Sequence, residues 1–488
     1  AYSQKDWCHV VAPTNRRPYG FNWEDWGRID AMEVLAEAKE VFQTDLQRTY
    51  LTGHSMGGHG TWHLGTLHPD RFAAIAPSAG WLSFWSYRPD RERAAGSSLA
   101  GMLARATLPS RTRQNARNLA DLGVYVLHGA DDRVVPVTEA RAMRDHLAGF
   151  HRDLDFHEEP GAGHWWDLSD APGADCVAWP PLLDFLARHR RPATHEVRHV
   201  AFATPSPAVS ARRHWASITQ QTRPFIASSV DLRLDPLAGR LAGTTTNVAR
   251  LAIEAAHVTA DTLLIALDGD TLRTPRTDPV WLARDSRWRV SGPTDPAQKG
   301  AHRGGGFRAA FARRVQLVYG TGGTAAENAW AVARARFDAE HLWYQGNATL
   351  DVLPDTLYDP TAEPDRNVML YGHADMHAHW AALWPAADVQ AARGEVVVGD
   401  RTLTGNDLGL LAVRPRPGSD VAIVGVVAGS GLAGLRLTTR RPYLAPDVAY
   451  PDVTVLADQG DGVVVRGAGF LANDWTVTGG EFVWANVD

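Results

Sequence analysis

From residue 7 to about residue 190, short apolar runs alternate with longer stretches whose apolar positions recur every three or four residues. "WCHVVAP", "TYLTG", "FAAIAPSAG", "VYVLHGA" and "LDFHEEPG" are short and bounded by turn formers, which predicts strands. "DWGRIDAMEVLAEAKEVF" puts Val34, Leu35, Ala38, Val41 and Phe42 on one face, which predicts a helix. "MGGHGTWHLGTLH", stopped by Pro69, "VTEARAMRDHLAGF" and "CVAWPPLLDFLARH" predict three more, with a polar, partly helical insert over residues 88–120. Five strands separated by helices predict a parallel sheet covered on both faces.

The texture changes at "RHRRPATHEVRHV", so residues 1–192 are read as one domain. Residues 193–275 carry the short alternating runs "SSVDLRLD", "LAGTTTNVARLAIEA" and "TLLIALDGDTLRT", the last with an Asp-Gly turn, and are read as a β-rich module. Residues 276–305, with "SGPTDPAQKGAHRGGG", read as an exposed linker or long loop, and residues 276–488 as an accessory α/β domain. Its strands are expected at "RRVQLVYG", "RNVMLYG", "VAIVGVV", "DVTVLAD" and "GVVVRGAGF", with helices at "TAAENAWAVARARFDAEHLWY" and after "AGSG". The fold class is therefore α/β, with a β-rich module between two α/β parts.

Composition changes this picture little. The chain has 488 residues, 44% hydrophobic and 21% charged, with a net charge of −6. Its apolar runs fall short of the ~18 residues a membrane helix needs. The mild acidity gives no reason to expect nucleic acid or an anionic membrane as partner. Cys8 and Cys176 are too few for a disulfide framework, leaving one bridge or two unpaired thiols. The N-terminal "AYSQKDWCHVV" lacks a basic segment followed by an apolar core, so it is not read as a signal peptide, and the compartment stays open.

The chemistry gathers in the first domain. "YLTGHSMGGHGTW" contains G-x-S-x-G between a predicted strand and helix, a turn that lifts Ser55 Oγ above a sheet and starts the helix at Met56, whose backbone N–H would face an oxyanion. A serine hydroxyl needs a base, and the base an orienting acid. "YVLHGADDRVVP" supplies Asp132, preferred to Asp131 because D-R-V-V-P resembles the spacing found in related hydrolases, and "EEPGAGHWW" supplies His164. Each follows a predicted strand, in the order Ser, Asp, His.

"YLTGHSMGGHGTW", "HGADDRVVP" and "PGAGHWWD" resemble the catalytic domain of the prolyl oligopeptidase-like serine hydrolases, within the α/β-hydrolase superfamily and close to feruloyl and related carboxylesterases. The resemblance covers residues 1 to about 190. It implies an acyl-enzyme mechanism with Ser55 as nucleophile, His164 as general base and acid, and Asp132 orienting His164. It needs no metal or organic cofactor, and it leaves a peptide or a small-molecule ester as substrate. Two departures follow. About 300 residues follow the domain, so size selection by the β-propeller that often precedes it in that family is not assumed. Only "WCHVVAP" and one helix come before the nucleophile strand, so the early sheet strands and the second oxyanion donor are expected from polypeptide upstream of Ala1.

Around these motifs, Trp81, Trp85, Trp165 and Trp166 are candidates to line the substrate pocket, whereas Trp62 reads as core. Arg16, Arg17 and Tyr19 follow the first expected strand, and Arg16 and Tyr19 are candidates to meet a substrate carboxylate. In "YGHADMHAHW", His373, Asp375, His377 and His379 are spaced as metal ligands can be, but without the H-E-x-x-H glutamate a polar helix start is the simpler account. "YGTGGTAAENAW" offers a weak glycine-turn phosphate signal. The preferred function is hydrolysis of an acyl bond by a peptidase. The alternatives are a feruloyl- or acetyl-type carboxylesterase on the same residues, or a non-catalytic binding protein on a hydrolase scaffold.

Overall fold

The computed structural model describes residues 2–17, 20–87, 98–385, 388–446, 448–460 and 462–485. It divides into two compact units, one of residues 1–93, 108–221 and 227–293, the other of residues 94–107, 222–226 and 294–488.

In the first unit, four described strands, β1 (Tyr50–His54), β2 (Ala74–Ser78), β3 (Gly123–Gly129) and β4 (Leu154–Glu159), form a parallel sheet in that order. Helices α1 (Asp25–Phe42), α2 (Met56–Leu67), α3 (Thr138–Ala148) and α4 (Pro180–Arg188) accompany it. Strand side chains alternate between faces. Val124 and Val126 join Trp62 of α2 and Ala140, Met143 and Leu147 of α3 in one core. Tyr125 and Leu127 join Leu182, Phe185 and Leu186 of α4 in another. Both faces are covered, which is why β2 and β3 read as unbroken apolar runs.

"WCHVVAP", expected as a fifth strand, is not one. Trp7, Val10 and Val11 are 44%, 55% and 42% exposed and the segment makes no ladder. An apolar run becomes a strand only with a paired neighbour. Val41 and Phe42 of α1, on the apolar face expected from the sequence, are also exposed, and Phe42 stacks on His9. Periodicity marks which face is apolar, not how far a neighbour extends to cover it.

The same unit continues into two five-stranded sheets between His199 and Val290. They enclose a core of Trp215, Ile218, Leu232, Leu251, Ile265 and Leu282, among others. The pairings are antiparallel except for Thr262–Leu267 beside Arg240–Thr246. The expected Asp-Gly hairpin joins Thr262–Leu267 to Asp270–Pro275, with both turn residues at positive φ, 51° at Asp268 and 92° at Gly269. Part of the stretch expected as exposed loop is sheet: Val280–Arg284 and Trp288–Val290 are strands, and Val280, Leu282 and Trp288 are buried in that core. Polar junctions tie these sheets to the parallel-sheet region, Asn118 and His214 among them. Asn118 exchanges hydrogen bonds with both backbone groups of Ala203 (2.7 and 2.8 Å), and His214 N donates to Asp70 (2.9 Å).

The second unit is built on an eight-stranded mixed sheet. Asp351–Pro354, Val315–Tyr319, Asn367–Tyr371 and Ile423–Gly429 lie parallel in that spatial order. Leu408–Pro415, Val453–Asp458, Val463–Phe470 and Glu481–Trp484 follow antiparallel. Its long helix, Ala325–Gly346, starts on a capping box of Thr324 and Glu327. Buried Asp338 accepts hydrogen bonds from Arg334 (2.7 Å) and Tyr371 (2.8 Å) and also from Tyr443. Among the described residues, no helix is long and apolar enough to cross a membrane.

Candidate active site

The end of β1 turns sharply into α2, and the turn is crowded at its glycines. A Cβ on Gly53 would lie 2.5 Å from the Gly57 backbone, and one on Gly58 would lie 2.3 Å from Ser78 O and 2.8 Å from Gly80. Gly57, the second glycine of G-x-S-x-G, has nothing within 4 Å of such a Cβ, so the crowding sits one residue later than the motif suggests. Between them Ser55 takes φ 59° and ψ −116°, a conformation held in place by Ser55 N donating to Ser78 O (2.9 Å). Met56 is the first residue of α2, and its N–H is one of those a helix leaves without an intrahelical carbonyl.

His164, in the loop after β4, reaches this turn. Its Nε2 is 2.8 Å from Ser55 Oγ and its Nδ1 is 2.7 Å from Asp132 Oδ2. Asp132, in the loop after β3, is buried, whereas its neighbour Asp131 is exposed. Its other oxygen accepts from the amides of Val134 (2.8 Å) and Val135 (2.9 Å), which fixes the carboxylate plane. Burial alone would raise this carboxyl, but the hydrogen bonds from His128, His164, Val135 and Val134 outweigh it and hold the group far below the usual carboxylate range. His164 thus faces the Asp132 carboxylate with Nδ1 and the serine hydroxyl with Nε2.

Two histidines that sequence reasoning did not single out border this arrangement. His128 is fully buried, donates from Nε2 to Val135 O (2.9 Å), and lies 3.3 Å from Asp132 Oδ2. His54, next to the serine, packs at a tilt against His164 (4.8 Å between ring centroids, 46°) and Trp165 (4.2 Å, 51°). Ser78 Oγ donates to Cys176 O (2.6 Å), so it must accept from His54 Nδ1 (3.1 Å). Burial, with the adjacent His164, pushes His54 down to about 4, so it is a neutral ring at ordinary pH. The available signals were the histidines of "GHS" and of "HGADD", visible only as neighbours of the motif residues.

The remaining candidates divide. Trp165 is exposed beside His54 and edge-on to His164 (6.1 Å). Trp166 points the other way, into the core against Trp179, and so cannot line an open pocket. Trp81 is buried between His59 and Tyr87 in a cluster with Phe84, Val135 and Met56, immediately behind the serine and acid loops. Trp85 lies under Arg111. Arg16 pairs with Asp30 (3.2 Å) and Glu33 (2.8 Å) of α1, so its charge is already engaged within the chain. Tyr19 lies outside the described residues. Cys8 and Cys176 are free thiols, the first half-buried and the second buried.

In the second unit, His373 lies 3.5 Å from Glu327 and 3.6 Å from Asp375, and Glu327 is held by Arg393 at 2.9 Å through both oxygens. Among the described residues no group of three or more His, Cys, Asp or Glu has the arrangement to hold a metal. The glycine turn before the long helix has its amides occupied. Gly322 N donates to Met376 O (2.9 Å), Gly323 N to Asn328 (2.9 Å) and Thr324 N to Glu327 (2.8 Å). A phosphate would have to displace all three.

Part of the first unit is similar to known proteins. Residues 16–189 match the family model described as the prolyl oligopeptidase family. An uncharacterized secreted protein of Arthroderma benhamiae is 23% identical over 507 aligned residues, which cover 97% of this chain and 53% of that protein. The chain thus spans about half the length of this relative. Among solved structures, a thermostable esterase is similar at 21% identity over 34% of this chain and 37% of that one (TM-score 0.24). The acylaminoacyl peptidase of Pyrococcus horikoshii is similar at 16% over 31% and 27% (TM-score 0.25).

Proposed function

We propose that the protein is a serine hydrolase that cleaves a peptide or ester bond through an acyl-enzyme on Ser55, a reading supported by the match of residues 16–189 to the prolyl oligopeptidase family model. The observation that carries this reading is the unbroken hydrogen-bond line from Ser55 Oγ to His164 Nε2 (2.8 Å) and from His164 Nδ1 to Asp132 (2.7 Å).

In the first half-reaction Ser55 Oγ attacks the acyl carbonyl as its proton passes to His164 Nε2. Asp132, already ionised, stabilises the imidazolium that forms. The developing oxyanion meets the Met56 N–H at the start of α2, where the helix dipole favours negative charge. His164 then returns the proton to the leaving group, and a water repeats the steps to release the acid. The neutral His54 ring packed on His164 adds no charge to oppose the imidazolium.

A fluorophosphonate probe tests the reading directly. The wild-type protein should be labelled at Ser55, and Ser55→Ala should not be labelled. Labelling that persists in Ser55→Ala, or none in the wild type, sinks it and favours a binding protein on a hydrolase scaffold. Hydrolysis of p-nitrophenyl acyl esters measured beside peptide nitroanilides separates esterase from peptidase.

A further inference from the structure

An exposed indole beside a candidate general base needs a physical account. Trp165 is 62% exposed, yet its position is fixed from below and from the side. Its ring rests on His54 at 4.2 Å with 51° between planes, and it meets His164 edge-on at 6.1 Å and 87°. His54 is anchored in turn through Ser78 to the Cys176 carbonyl. The next residue, Trp166, is buried, which commits the chain to turning Trp165 outward.

The loop that follows is braced as well. Asp175, almost fully buried, accepts hydrogen bonds from Leu168 N (2.8 Å), Ser169 N (2.7 Å) and Ser169 Oγ (2.7 Å). The Trp165 ring keeps most of its surface in water although it packs on His54 and His164. It is preorganised to receive a partner at little ordering cost.

The chemistry says which partner. In acyl transfer the general acid delivers its proton to the leaving atom, so the leaving group must lie on the side of His164 Nε2. Trp165 follows His164 in the chain, meets its ring edge-on at 6.1 Å between centroids and is exposed, whereas Trp81, Phe84 and Val135 are buried in one cluster with Met56 packed against it. We propose that Trp165 is a platform for the leaving group and that the substrates carry an aromatic ring on that side of the scissile bond. This rests on the serine-hydrolase reading above.

The test compares two esters of the same acid with alcohols of similar acidity, benzyl acetate and ethyl acetate, alongside fluorophosphonate labelling. Wild-type protein should favour the benzyl ester in kcat/KM by about tenfold or more. Trp165→Ala should lower kcat/KM for benzyl acetate more than for ethyl acetate and so erase most of that preference, and Trp165→Phe should retain it. An unchanged preference in Trp165→Ala overturns the proposal, and so does a labelled Ser55 with no preference in the wild type or with neither ester hydrolysed. Absence of labelling overturns the serine-hydrolase reading, and this proposal with it.

Discussion

Asp132→Asn isolates the orienting role of the acid. The substitution keeps Oδ1, so the Val134 and Val135 amides at 2.8 and 2.9 Å retain their acceptor and the loop after β3 should hold its shape. What changes is the atom that lies 2.7 Å from His164 Nδ1 and 3.3 Å from His128 Nε2, where an NH2 group replaces a carboxylate oxygen. His128 already donates from Nε2 to Val135 O, so it offers no lone pair there. His164 can satisfy the new donor only by accepting at Nδ1, which moves its proton to Nε2 and aims it at Ser55 Oγ. The base is then in the wrong tautomer, and the support for the imidazolium is gone. By analogy with other serine hydrolases, kcat/KM should fall about 10³- to 10⁴-fold, or roughly 4–5 kcal/mol of barrier. Stability should drop by only about 1–3 kcal/mol, the scale of one lost charged hydrogen bond. The assay is the second-order rate of fluorophosphonate labelling, with a urea melt as the folding control. Labelling within tenfold of wild type in a folded variant would refute the reasoning. Asp131→Asn, at an exposed position, should leave the rate essentially unchanged.

Two further outcomes follow from burial in the first unit. Gly58→Ala should cost about 1–3 kcal/mol in a denaturant melt because its Cβ meets backbone that cannot move aside, whereas Gly57→Ala, with open space, should be neutral or stabilising; equal effects would contradict the packing described. His63 and His68, pushed down to about 3, and His54, at about 4, are all lowered mainly by burial, so they are neutral when folded and bind protons near 6.5 when unfolded. The unfolded chain therefore takes up more protons as pH falls below that value, and each histidine should remove up to about 1.4 kcal/mol of stability per pH unit until its folded value is reached. Equal unfolding free energies at pH 7 and pH 5 would contradict this.

The parts of the site legible in the sequence were those encoded locally. Ser55 announces itself by flanking glycines, and Asp132 and His164 by lying just past apolar runs that became β3 and β4. The Asp268-Gly269 hairpin was legible because positive φ at two successive residues demands those residue types. Illegible were features set by partners distant in the chain. Arg16 read as a substrate-facing charge because Asp30 and Glu33 come within reach only once α1 folds back beside it. "WCHVVAP" has strand composition and no ladder. Trp165 and Trp166 looked equivalent in sequence, yet one faces solvent and the other the core. Val280–Arg284 was hidden by the Pro- and Asp-rich residues around it, which read as loop.

The register between β1 and β2 sets His54 opposite Ser78, and Ser78 in turn receives Ser55 N–H on its carbonyl and His54 on its hydroxyl. The position of Ser55 above the sheet is thus set by two strand ends, whereas residues 81–87 follow β2 and residues 165–175 follow β4 as separate segments. Insertions or exchanges in those two loops can reshape what the site admits without re-aiming Ser55. A one-residue slip between β1 and β2 would disarm it whatever the loops contain. Variation in specificity and constancy of reaction are therefore assigned to different stretches of the same chain.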